Sequence, residues 1–267
     1  DLSRPGLHLR AVGESPATAL APGGLISAVA RREPVGVVTA ITSFNFPLTN
    51  MAGKICLALA MGNTVVLKPA EFTSLSAVLF AEICKAVLPP GVVNIVTGDG
   101  LTGKLIVEHS DIDKIAFTGS TEVGKLLMRR GADSMKRMFL ELGGKSVAIV
   151  LDDANPAVIV PSAVGVCVHA GQACAATTRM LVHRSLYDQA VADITAAYSL
   201  VPVGDPVRDD VLVGPVISAA QKGRVLGAID EARAAASELT GRVVVKAQVH
   251  AGGQRGVGHR VDEPAHE

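Results

Sequence analysis

The sequence carries no surplus of charge of either sign. Its 25 lysines and arginines meet 25 aspartates and glutamates, and no basic cluster stands out, which removes the electrostatic argument for nucleic acid or an anionic membrane as a partner. No uninterrupted apolar run is long enough to span a bilayer, and residues 1–10 lack the apolar centre of a signal peptide. The expected location is the cytoplasm. The four cysteines, Cys56, Cys84, Cys167 and Cys174, form no Cys-x-x-Cys pair and have no paired histidine ligands, so neither a zinc site nor a disulfide framework is indicated. His250, His259 and His266, scattered through the tail, match no common ligand spacing, and no metal is expected. There is no internal repeat.

What the chain does have is bulk and alternation. With 267 residues and 49% hydrophobic content, it can bury a sizeable core. Between Val35 and Phe117 short β-rich runs alternate with longer helical patterns, the signature of βαβ units and a parallel sheet. Strands are predicted over Val35–Ile41, Thr64–Leu67, Val92–Val96 and Lys114–Phe117, and helices over Asn50–Ala60, Ser74–Val87, Leu101–Glu108 and Thr121–Arg130. After Glu141 the pattern resumes with strands over Ser146–Val150 and Thr178–His183. The helices expected there are Asn155–Ala170, Tyr187–Leu200 and Gln221–Leu239, the last ending at Gly241. On this reading residues 1–140 form a Rossmann-like nucleotide-binding domain, incomplete at its N-terminus. Residues 141–241 form part of a second α/β domain, and 242–267 a poorly ordered tail.

Two glycine-marked turns hold the residues with the most chemistry. Glu141 precedes Leu142-Gly143-Gly144, and Cys174 follows Gly171-Gln172-Ala173. A thiol can attack an electrophilic carbon, and a carboxylate can activate the water that later releases the product. The alternatives are a buried structural cysteine and a solvated surface glutamate. Asn45, in Phe44-Asn45-Phe46-Pro47, follows a predicted strand at the sheet edge where α/β proteins bind ligands; an Asx-turn or helix cap is its other reading. Gly119-Ser120-Thr121-Glu122-Val123-Gly124 links a strand to a helix, where free N–H groups and the helix dipole can meet a pyrophosphate. It has no Lys-Ser or Lys-Thr pair after its second glycine, so it is not a Walker loop. Ser120 or Thr121 can also serve there as the N-cap. Lys68 and Glu71 follow a strand and could equally be a solvated turn.

Taken in order, Asn45, Lys68-Pro69-Ala70-Glu71, Gly119-Ser120, Glu141 and Cys174 resemble the NAD(P)-dependent aldehyde dehydrogenase superfamily, from about Arg31 to about Arg255. The resemblance implies an α/β fold with a Rossmann-like parallel-sheet cofactor domain and part of a second, catalytic α/β domain. It implies Cys174 as nucleophile, Asn45 with the Cys174 backbone N–H as oxyanion hole, and Glu141 as the base for thioester hydrolysis. It also implies cofactor contacts from Ser43, Phe44, Lys68, Glu71, Gly119, Ser120, Val123, Gly124 and Leu142. The cofactor implied is NAD, with NADP the alternative, since the Glu71 carboxylate repels a 2′-phosphate. The expected product is an acid, because relatives that pass the acyl group to coenzyme A typically lack this glutamate. Small residues around the nucleophile, Val168, Ala173 and Ala175, suit an uncharged small-molecule aldehyde.

The family usually has Trp where Phe44 stands. Its members are nearly twice as long, with further N-terminal helices and a later Glu-x-Phe-Gly-Pro segment, so the chain reads as truncated at both ends. The homo-oligomers of the family use an oligomerisation segment that is expected to be missing here. Two other readings follow: an inactive fragment retaining at most nucleotide binding, and a hydrolase pairing Cys174 with His169.

Overall fold

The computed structural model describes residues 18–20, 27–29 and 33–237; the tail expected over 242–267 lies outside them. The described residues divide into two compact units, the first drawn from Asp1–Thr118 and Gly124–Glu141, the second from Gly119–Val123 and Leu142–Glu267. Strands β1 (Thr18–Leu20) and β2 (Ser27–Val29) pair antiparallel, a hairpin the sequence reading did not include.

The first unit is built on five strands, β3 (Val37–Ile41), β4 (Thr64–Lys68), β5 (Val93–Ile95), β6 (Lys114–Gly119) and β7 (Arg137–Leu142), in the order β5-β4-β3-β6-β7. The pairs β3–β4, β3–β6 and β4–β5 are parallel. Their connections are α1 (Pro47–Ala60), α2 (Ser74–Val87), α3 (Gly100–Glu108) and α4 (Thr121–Ala132). The chain steps outward from β3 to β4 and β5, then returns to the far side of β3 for β6. Right-handed crossovers put helices on both faces of a sheet wound in this way. Central strands are then buried on both sides, which is why β3 and β4 read as continuous apolar runs instead of alternating. Ala40, Val65 and Leu67 pack with Met51 and Ile55 of α1 and Ala77 of α2 to form the core.

Two polar devices hold the amino end of β3. Gly36, at φ +115°, has no room for a side chain: a Cβ would collide with the carboxylate of Asp113, which accepts from the Val37 N–H at 2.8 Å. Asn63 is buried, accepts from the N–H groups of Val35 (2.7 Å) and Gly36 (3.1 Å), and donates to the Ala58 carbonyl at 3.0 Å. One amide thereby ties the end of α1 to the start of β3.

The second unit contains β8 (Val147–Val150) and β9 (Arg179–Val182), paired parallel. It also holds helices α5 (Pro156–Val164), α6 (Arg184–Ser199) and α7 (Ala219–Ser237). Val150, Ile159 and Ala190 centre its core. The apolar run from Asn155 to Ala170 is not one helix, as the sequence suggests. Asn155 caps α5 by accepting from the Ala157 N–H at 3.0 Å, and the α-helix stops at Val164, with Pro161 already inside it. A tighter 3₁₀ stretch over Gly165–Gly171 follows.

No helix among the described residues is long and apolar enough to cross a membrane. Helix α2 turns Ala77 and Cys84 inward and leaves Leu75, Leu79 and Ile83 exposed.

Replacing Asn63 with Ala removes all three of its side-chain bonds and leaves two part-buried N–H groups without their acceptor. Urea unfolding of Asn63→Ala should show a loss of about 3 kcal/mol, and a loss below about 0.5 kcal/mol would contradict the clamp.

Candidate active site

In an open parallel sheet the ligand crevice forms at the carboxyl ends of the strands, where the strand order reverses. Here the reversal lies between β3 and β6, and the residues singled out from the sequence cluster at those ends. Ser43, Phe44 and Asn45 follow β3, Lys68 closes β4, and Gly119 closes β6. The Arg137 N–H donates to the Asp113 carbonyl just ahead of β6, so β7 starts at the same end as β6 and delivers Glu141 to the same edge.

Asn45 is held by its oxygen. Its Oδ1 accepts from the Ser43 hydroxyl (2.7 Å) and from the Phe46 N–H (3.2 Å), and Ser43 in turn accepts from Asn50 Nδ2 at 2.9 Å. Because the Phe46 N–H can only donate, the amide orientation is fixed and the NH₂ end is turned away as the donor end. The helix-cap reading is overturned: α1 begins at Pro47 behind Phe46, with no side-chain cap.

Lys68 is not in a solvated turn. The side chain is only 6% exposed, donates to the Pro69 carbonyl at 3.1 Å, and lies 3.9 Å from the exposed Glu71 carboxylate. Burial pulls its ammonium below the usual lysine range, while Glu71 and Asp99 pull it back up. A desolvated cation beside an open carboxylate presents a donor and an acceptor together, the pairing that vicinal hydroxyls require.

Ser120 Oγ accepts from the Val123 N–H at 3.2 Å, the N-cap expected from the sequence, so α4 starts directly after the strand with its dipole toward that edge. Gly124 is buried within α4 and Val123 is exposed.

Glu141 stands not in a turn but within β7, whose residues alternate in exposure, with Arg137, Phe139 and Glu141 on the open side. The turn comes later, after Leu142. In the second unit, Gly144 passes close enough to the Cys174 loop that a Cβ there would lie 3.4 Å from the Cys174 carbonyl oxygen.

Cys174 is half-buried. The loop ahead of it is strained: His169 (φ 55°, ψ 30°) and Ala170 (φ 54°, ψ 36°) are left-handed, followed by Gly171 at φ 74°. The first two cost roughly 1–2 kcal/mol each as non-glycine residues. Of the other thiols, Cys84 is buried, Cys167 is half-buried, and Cys56 is exposed on α1 instead of structural; burial pushes the Cys84 and Cys167 thiols up.

Sequence reading missed Lys54. It spans from α1 to Thr118, next to Gly119, with Nζ 2.5 Å from Thr118 Oγ1 and 5.8 Å from the Phe139 ring centroid. It also lines a cleft of about 840 Å³ in the first unit, with Asn50, Leu57, Ala116 and Phe139. A lysine on a helix gives no sign of such a partner 64 residues away.

Comparison with known proteins decides the family. The model of the aldehyde dehydrogenase family matches residues 16–254. The chain belongs to the aldehyde dehydrogenase family. An aldehyde dehydrogenase of Agaricus bisporus is 44% identical over 229 residues, 84% of this chain and 44% of that protein. The aldehyde dehydrogenase of Mycobacterium tuberculosis, solved in complex with NAD+, superposes with a TM-score of 0.75 at 42% identity, over 82% of this chain and 45% of that one. A mutant of aldehyde dehydrogenase C of Pseudomonas syringae, solved with NAD+ and octanal, gives a TM-score of 0.73 at 40% identity, over 76% and 43%. The chain spans 42–44% of the length of the relatives it matches.

Burial of Lys68 sets a pH dependence with a definite sign. With the folded pKa lowered below the ordinary value of 10.5, the unfolded chain binds the extra proton between the two, and stability contributed by this site rises with pH through that window. Urea midpoints of wild type relative to Lys68→Met should rise from neutral pH toward the ordinary lysine pKa; parallel curves would contradict the burial.

Proposed function

We propose that this chain carries the cofactor edge and the nucleophile of an NAD-dependent aldehyde dehydrogenase that converts an aldehyde to a carboxylic acid through a cysteine thioester. The reading is carried by one observation: the Asn45 loop, the Lys68–Glu71 pair, Gly119 and Glu141 all stand at the carboxyl end of one parallel sheet, about its switch point. NAD fits the residues present. Lys68 Nζ and the Glu71 carboxylate offer donor and acceptor to the ribose hydroxyls, the start of α4 at Ser120 offers N–H groups to the pyrophosphate, and Ser43, Phe44, Val123, Gly124 and Leu142 complete the contacts. The Glu71 carboxylate disfavours a 2′-phosphate.

In the reaction, the Cys174 thiol gives its proton to solvent as the sulfur bonds the aldehyde carbon, and Asn45 Nδ2 with the Cys174 N–H donates to the oxyanion that forms. When bound, NAD supplies the two-electron acceptor that separates this thiohemiacetal from the thioester. Glu141 then takes a proton from the water that attacks the acyl carbon, the carbon–sulfur bond breaks, and the thiol is regenerated. The Asn45 amide oxygen is held by Ser43, which Asn50 holds in turn, so the amide has one fixed orientation. Pairing of Cys174 with His169 as a hydrolytic base has less support, since His169 lies in the left-handed turn of the 3₁₀ stretch and its carbonyl is bound by Gln172. A second reading is nucleotide binding without turnover, and the apolar face exposed on α2 is a surface that a longer chain could cover.

Mixed with NAD+ and an uncharged aliphatic aldehyde, the chain should form NADH, and Cys174→Ala should form none. Glu141→Gln should give a single-turnover burst followed by a steady state slower by about 100-fold or more. Turnover unaffected by loss of Cys174 would refute the scheme, and NAD+ binding without NADH would establish the second reading.

A further inference from the structure

Gln172, two residues before Cys174, is 6% exposed, and it bonds both its own loop and a segment far along the chain. Its backbone N–H and its Nε2 both donate to the His169 carbonyl, at 3.1 and 2.9 Å, closing the left-handed turn from within. Its Oε1 accepts from the Ile217 N–H at 3.0 Å, 45 residues further along. Ile217 is followed by Ser218, whose hydroxyl accepts from the Gln221 N–H at 3.1 Å at the start of α7. The loop is thereby tied to the head of a 19-residue helix.

We propose that Gln172 is a positioning residue for Cys174: it clamps the left-handed turn at His169 and Ala170 onto the start of α7, and so fixes where the sulfur and the Cys174 N–H point. The proposal rests on the reading of Cys174 as nucleophile. A turn of non-glycine residues in the left-handed region relaxes to commoner backbone angles unless its surroundings over-determine it, and Cys174 lies only four residues beyond Ala170. The side chain must donate at one end and accept at the other, which glutamine does at this length. A protonated glutamate does the same, an ionised one presents an oxygen to the His169 carbonyl, and methionine does neither.

The test uses an activated aryl ester, so that cofactor binding is not involved. The Cys174 sulfur bonds the acyl carbon, the bond to the aryl oxide breaks, and the thiol proton passes to solvent; the acylated cysteine is then identified by peptide mass. Gln172→Met should acylate at Cys174 roughly 100-fold more slowly than wild type, while alkylation of the exposed Cys56 proceeds at the wild-type rate. Gln172→Glu keeps the assay decisive if the methionine variant does not fold. Its Cys174 rate, as a ratio to wild type at each pH, should lie near unity at about pH 5 and fall toward the methionine level at about pH 9, as the buried carboxyl loses its proton. Wild-type acylation at Cys174 with a flat ratio in Gln172→Glu, or an unchanged rate in Gln172→Met, overturns the positioning role and leaves the nucleophile standing. Wild type that does not acylate at Cys174 at all overturns both.

Discussion

The reversal of strand order at β3 is the constraint on which the rest of the first unit depends. A chain that winds outward from β3 to β5 and returns beside β3 as β6 leaves two adjacent strand ends whose following loops run to opposite faces of the sheet. Backbone groups there have no ladder to join, and helix N-termini converge on the gap. That geometry calls for a ligand rich in acceptors and negative charge. The side chains around it answer in kind: an asparagine fixed through its oxygen, a buried lysine beside an open carboxylate, and a serine capping the helix that leaves β6.

The loop that carries Cys174 in the second unit is held differently. Three consecutive residues, His169 to Gly171, have positive φ, and part-buried hydrogen bonds from Gln172 close the turn. Strain of this kind concentrates where a side chain must be delivered in one orientation. Gly144 runs beside the Cys174 carbonyl, where a Cβ would just reach van der Waals contact with the loop backbone. The two units thus solve separate problems, one presenting donors at a sheet edge and the other stiffening a loop around a thiol.

Much of this was legible in the residues. The buried strands β3, β4 and β6 announce themselves as short apolar runs between helical patterns, and the boundaries of α2 are those the periodicity gives. Strand β7 is hidden because Arg137-Met138-Phe139-Leu140-Glu141-Leu142 alternates charge with apolar side chains and runs straight into Gly143-Gly144, so it reads as the approach to a turn. The break after Val164 is hidden for the opposite reason: Gly165-Val166-Cys167-Val168 prolongs the apolar run, and only backbone angles end the helix. At the site, the motif residues were legible by type, whereas Asn50, Lys54 and Gln172 were not. Their partners lie 7, 64 and 45 residues away, and a polar side chain on a helix or loop looks solvated until the fold brings its partner near.

The central claim is that the carboxyl edge of the five-stranded sheet binds a dinucleotide. Amide hydrogen exchange of the chain with and without saturating NAD+ tests it most directly. Dinucleotide binding at this edge should protect segments 42–46, 68–74 and 119–124 and leave β8, β9 and α6 unchanged. Absence of protection in those three segments, or protection confined to residues 142–237, would contradict it.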